Sequence, residues 1–153
     1  MAMLETNVGT DGIAEAIRQL EKADLFTDAN ASKMLKAGAE SMLQSVRSAF
    51  VAAGHNRPGW NRRTGDTLRH FTMSRSLKKD KHGVPYVLVT ITGKDRRNQR
   101  YGVKGFVLNY GRRKGGKITA DYYWSTAVHN TWQQVNDKMS DVAAAILKGD
   151  SNA

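Results

Sequence analysis

Seven apolar side chains near the C-terminus, Trp124, Val128, Trp132, Val135, Met139, Val142 and Ile146, recur at steps of 4, 4, 3, 4, 3 and 4. Only an α-helix keeps such a series on one face. The seam implies a helix of about 25 residues, nearly 40 Å long at about 1.5 Å per residue. Thr119 or Asp121 is placed to cap its start, and Gly149 sits where a helix-terminating glycine belongs. A helix this long in a chain of 153 residues is expected to outrun its own core and offer part of its seam to another chain.

Two further stripes lie near the N-terminus. Ile13, Ile17 and Leu20 predict a short helix over residues 11–23, with Thr10 or Asp11 as its cap. After an interruption over 24–30, Leu35, Ala39, Met42, Val46 and Ala49/Phe50 step by 4, 3, 4 and 3. They predict a second helix over 32–53, capped by Ser32 and ended by the Gly54–Pro58 stretch, with Lys36, Glu40, Gln44 and Arg47 on its polar face.

The middle of the chain reads differently. Residues 71–77 alternate imperfectly, whereas 84–92 alternate well, with Tyr86, Leu88 and Thr90 on one face and Val87, Val89 and Ile91 on the other. The pattern predicts two strands joined by a hairpin loop over 79–83, the second an inner strand. Residues 103–110 suit a strand or a short helix ending at Gly111, and 112–117 suit a mobile Gly/Lys/Arg loop. These elements predict an α+β fold: a small, mainly antiparallel sheet flanked by an N-terminal helical region and a long C-terminal helix. One domain is expected over 1–153, divided into an N-terminal helix and linker (1–31), a core (32–149) and a tail (150–153).

Charge is segregated along this framework. Residues 56–120 carry 17 Lys/Arg against 3 Asp/Glu, whereas 1–55 carry 5 against 7 and 121–153 carry 2 against 4. So self-repelling a middle calls for a polyanion, an acidic protein surface or water against it. The absence of cysteine excludes disulfides and thiolate metal sites and suits a reducing cytosol. The N-terminus lacks the basic and apolar regions of a signal peptide, and no apolar run approaches a membrane span, so a soluble cytoplasmic product is expected.

Catalytic patterns find little support. Gly111 to Gly116-Lys117 spells G-x-x-x-x-G-K, but Ile118 stands where a phosphate-binding loop needs Ser or Thr for magnesium. Asp66, Asp80 and Asp95 fall in separate turns, and His55, His70, His82 and His129 are scattered, suiting surface or hydrogen-bonded roles rather than metal ligation. No G-x-S-x-G elbow occurs. No catalytic residue, metal or cofactor is expected. Two basic clusters remain, Arg96/Arg97/Arg100 and Arg112/Arg113/Lys114/Lys117, with Tyr101 and Tyr110 nearby and Trp60 beside Arg62/Arg63. Cations interleaved with aromatics can grip phosphates and stack on bases; they serve equally as solvated loops or contacts to acidic protein faces.

Thr64-Gly65-Asp66-Thr67-Leu68-Arg69 follows the long second helix. After the basic hairpin come Tyr101-Gly102-Val103-Lys104-Gly105-Phe106-Val107-Leu108-Asn109-Tyr110-Gly111 and then Asp121-Tyr122-Tyr123-Trp124-Ser125-Thr126-Ala127. In order and spacing this resembles the siphophage neck and tail-completion family, also called minor tail or head–tail joining proteins, over roughly residues 32–147. That family carries a Thr-Gly-x-Leu-Arg turn, a Tyr-Ala-x-x-Val-Glu-(Phe/Tyr)-Gly segment and a Pro-Phe turn before its last helix. Here one extra residue separates Gly65 from Leu68, Asn109 stands in for the Glu, and Tyr122/Tyr123 replace Pro-Phe.

The resemblance implies a virion structural protein of a phage or prophage. Copies would form a homo-oligomeric ring at the head–tail junction, contacting head-completion or adaptor proteins and tail tube or terminator proteins, with DNA in the channel and no membrane. Thr64, Gly65, Leu68, Arg69, Tyr101, Asn109, Tyr110 and Gly111 would be structural, Leu68 packing inward and Arg69 facing out. Arg96, Arg97, Arg100, Arg112, Arg113, Lys114 and Lys117 would face the DNA channel or a neighbouring subunit. The competing expectation is a free nucleic-acid-binding protein without sequence preference.

Overall fold

The computed structural model of the chain describes residues 4–56 and 66–149. Thr64, Gly65, Trp60, Arg62, Arg63, Pro58 and the 150–153 tail lie outside the described residues. Among the described residues the fold is α+β, with four α-helices and a small antiparallel sheet of four strands. In chain order the elements are β1 (Glu5–Val8), α1 (Ala14–Lys22), α2 (Asp28–Ala52), β2 (Phe71–Met73), β3 (Lys78–Lys79), β4 (Pro85–Ile91), α3 (Tyr101–Tyr110) and α4 (Tyr123–Leu147).

β4 is the inner strand, as its apolar run predicts. β1 and β2 are its neighbours, and β3 pairs antiparallel with its N-terminal end, Lys78 opposite Tyr86 and Lys79 opposite Pro85. The hairpin loop closes on Asp80, whose carboxylate accepts the N–H groups of His82 and Val84. β2 is three residues long rather than seven, because the chain bends after Met73 before pairing resumes at Lys78. β1 was not expected. Its Glu5-Thr6-Asn7-Val8 run alternates exposed and buried, the period-2 signature of a half-buried strand.

The helices follow their stripes, but their caps differ from expectation. A 3-10 turn, Asp11–Ile13, precedes α1, and neither Thr10 nor Asp11 caps by its side chain; the Thr10 carbonyl accepts the Ile13 N–H instead. Helix α2 begins four residues before Ser32, where Thr27 Oγ1 accepts the Asn30 N–H at 3.2 Å. At α4 the cap is Asp121, whose Oδ1 accepts the Tyr123 N–H, and not Thr119. The buried face of α4 runs Trp124, Ala127, Thr131, Val135, Met139, Ala143 and Ile146, with Val128, Trp132 and Val142 half-buried on its flank. Of the predicted seam, Trp124, Val135, Met139 and Ile146 are buried within the chain, whereas Val128, Trp132 and Val142 keep part of their surface exposed.

By compactness the chain divides into two units. The first comprises Met1–Thr6, Leu43–Thr72 and Val89–Asn130. It is built on aromatics: Phe50 packs edge-on to Phe71 and Tyr123 at ring separations of 5.0 and 5.4 Å, and Phe71 leans on Trp124. Thr6 accepts the Trp124 indole N–H at 3.1 Å, so the buried ring keeps its hydrogen bond.

The second unit comprises Asn7–Met42, Met73–Leu88 and Thr131–Ala153. Its core is aliphatic and thioether-rich, with Val8, Leu20, Met34, Leu35, Met42, Val87, Val135 and Met139 fully buried. Gly38 permits a close helix contact: a Cβ there would lie 2.7 Å from Met139 Cγ and 3.1 Å from Val135 Cγ1. Gly38→Val, with branched methyls and no room, is expected to lower stability by about 1–3 kcal/mol in urea unfolding. Gly38→Ala should be near neutral, since about 1 kcal/mol of helix propensity offsets the displacement of flexible Met139. Equal stability of Gly38→Val and wild type would contradict this packing.

Candidate functional site

The residues singled out by sequence concentrate in the first unit, around α3 and the turns at its two ends. Residues 103–110, open between strand and helix, are helical. Tyr101 starts α3, buried and stacked on His70 at 4.0 Å with ring planes 15° apart. Lys104 Nζ lies 5.1 Å from the Tyr101 ring centre. Leu68 and Arg69 fall in a 3-10 turn, Asp66–His70, with Leu68 half-buried and Arg69 exposed.

The turn before α3 is organised by a carboxylate. Lys94 and Arg100 form an antiparallel bridge, and between them Asp95 Oδ1 accepts the N–H groups of Arg97 and Gln99 at 2.8 and 2.9 Å. Its other oxygen binds Lys104 Nζ at 2.6 Å. Arg96, Arg97 and Arg100 are exposed around this anchored centre.

The turn after α3 is closed differently. Gly111, at φ +80°, releases the chain from the helix, and a Cβ there would lie 2.8 Å from the Ile118 carbonyl oxygen. Only glycine fits this approach. Arg112 and Ile118 exchange two backbone hydrogen bonds, and the Arg112 guanidinium folds back on the carbonyls of Gly115 and Gly116. The Gly/Lys/Arg segment is therefore closed at its base as a hairpin. Arg112, exposed like its neighbours, thereby braces the hairpin from within. Its guanidinium also binds the carbonyls of the apparent G-x-x-x-x-G-K loop. Arg113, Lys114 and Lys117 remain exposed.

Between this hairpin and α4 lies a joint that sequence reasoning missed. Asn109, fully buried, accepts the N–H groups of Trp124 and Ser125 on Oδ1 at 2.9 and 3.3 Å and donates from Nδ2 to Ser125 Oγ. Its own carbonyl accepts the Tyr122 N–H. One neutral amide thus caps α4 from another helix, satisfying first-turn donors that have no partner within the helix.

Asp121 adds a second tie. His55 Nε2 lies 2.5 Å from its Oδ2, so one carboxylate joins the end of α2 to the start of α4. Nδ1 of His55 meets no partner among the described residues. Burial, and then the charge of Asp121, push the Tyr123 phenol above its ordinary range; it donates to the Gly105 carbonyl.

Tyr122, between these ties, has φ +53°, a left-handed conformation that a bulky side chain adopts at a cost of about 1–3 kcal/mol. It is 52 % exposed and meets Tyr110, 48 % exposed, edge-on at 6.2 Å.

His82 and His129 are exposed, and no cluster of three or more potential metal ligands gathers among the described residues. A depression of about 500 Å³ in the second unit is lined by Thr10, Asp11, Asp80, Trp132 and Asn136 among others, and its described lining holds no histidine, lysine or serine. No described helix is long and apolar enough to cross a membrane.

Asp95 is the titratable marker of the first turn. The Lys104 hydrogen bond, followed by the Gln99 and Arg97 N–H groups, holds its carboxyl below the ordinary 3.8. Because the folded value is depressed, the turn's added stability is present above 3.8 and fades as pH falls through the folded value. Carboxyl-carbon NMR is expected to give an Asp95 midpoint below 3.8 that rises in Lys104→Ala. Asp80, held down by the Val84 and His82 N–H groups, should stay where it is. An Asp95 midpoint unmoved by the lysine change would contradict the pairing. Comparison with protein-family models, curated proteins and solved structures finds no match to this chain.

Proposed function

We propose that this chain is a virion structural protein of the siphophage neck or tail-completion type, joining surfaces and performing no chemical step. Copies assemble as a ring at the head–tail junction, made in the host cytoplasm and carried in the virion, between head-completion or adaptor proteins and tail tube or terminator proteins.

The observation that carries this proposal is the coincidence of motif and joint. Asn109, Gly111 and the Asp121–Trp124 segment, on which the resemblance rests, hold α3, the hairpin and the start of α4 together. Tyr101 opens the same helix, stacked on His70. A motif whose members build one joint marks a fold plan, as expected of residues that a structural family would share. The Asn109 amide, which both accepts and donates, suits a site without exposure better than the glutamate it replaces, whose buried charge would need a partner.

A ring closes when one surface of each copy meets a different surface of the next. Multi-angle light scattering of the full chain is expected to show one discrete multimer, in low and high salt, that negative-stain images resolve as a closed ring. A monomer at every attainable concentration and salt, with no ring in images, would contradict the assignment.

A further inference from the structure

The basic hairpin is framed by two exposed tyrosines. Tyr110 ends the helix that enters it and Tyr122 follows the segment that leaves it, and the two rings meet edge-on at 6.2 Å. Phe106 extends the aromatic surface one turn back along α3, its ring 4.7 Å from that of Tyr110. Arg113, Lys114 and Lys117 stand exposed on the hairpin between the tyrosines. Large exposed aromatics beside a concentrated charge are unusual on a free surface. Here one of them is held in a left-handed backbone that glycine would adopt without strain.

Charge decides what fits this surface. The first unit carries 14 Lys/Arg against 4 Asp/Glu, while the second carries 10 of each. The second unit, balanced in charge, offers no net acidic surplus to match the first. The carboxylates of Val89–Asn130, Asp95 and Asp121, are engaged by Lys104 and His55 rather than by the hairpin cations. The complement is a polyanion, and two half-exposed phenol rings beside the hairpin suit one with unpaired planar rings.

We propose that the Tyr110/Tyr122 pair and the hairpin between them bind a single-stranded polynucleotide. Bases stack on the phenol rings while phosphates meet Arg113, Lys114 and Lys117, so binding ignores base sequence. This surface does not depend on the ring assignment: one is read from binding, the other from mass.

The test is fluorescence anisotropy of the full chain with labelled dT20, a 20-base-pair duplex and a 20-residue polyglutamate. Wild type is expected to bind dT20 more tightly than either comparator, with affinity falling steeply as salt rises. Tyr122→Gly, which relieves the backbone strain, should melt no lower than wild type yet bind dT20 about tenfold more weakly, and Tyr110→Ala should weaken it similarly. Duplex binding should change little in either variant, whereas Arg113→Glu/Lys114→Glu should weaken both nucleic acids. The proposal is overturned if dT20 binds no better than the duplex or polyglutamate. Folded tyrosine variants that keep wild-type affinity overturn it equally.

Discussion

The bonds from Asn109 to the first turn of α4 organise the first unit. A helix start leaves N–H groups without intrahelical partners, and inside a core they cannot turn to water. Asn109 Oδ1 takes two of them, Asp121 takes a third, and His55 holds the far oxygen of Asp121. With both feet of the 112–118 hairpin tied to this joint, the chain must turn sharply at each. Gly111 meets that demand without a side chain, and Tyr122 meets it under strain. Removing the amide would leave buried donors unsatisfied, at about 1–3 kcal/mol.

Local chemistry was legible in the sequence where it obeyed a period. The stripes of α1, α2 and α4, the inner strand and the stop at Gly111 all follow from spacing and backbone freedom. Boundaries were less so. Thr27 starts α2 because its hydroxyl caps Asn30 before the apolar stripe begins, and α4 buries Ala127 and Ala143 because small residues allow close approach. The helical state of α3 was ambiguous because Gly102, Gly105 and β-branched Val103 and Val107 weaken both periods. Asn109 reaches 15 and 16 positions to Trp124 and Ser125, and His55 reaches 66 to Asp121. No local pattern encodes such pairings.

The same accounting explains which charges face outward. Asp95, Asp121, Lys104 and Arg112 each close a turn or fix a helix. With those groups engaged internally, the exposed cations of the two turns stand at opposite ends of a helix about 15 Å long. Two carboxylates thus do internal work while the excess charge is concentrated in one unit.

Amide hydrogen exchange tests the role of the joint most directly. In wild type, Trp124 and Ser125 are expected to exchange slowly, protected by Asn109 despite lying in the first turn of α4. In Asn109→Ala they should exchange about tenfold faster or more, the loss expected of a cap worth about 1–2 kcal/mol. Val135 and Met139, in the second unit, should keep their protection. Rapid exchange at Trp124 and Ser125 already in wild type, or rates that Asn109→Ala leaves unchanged, would contradict the account.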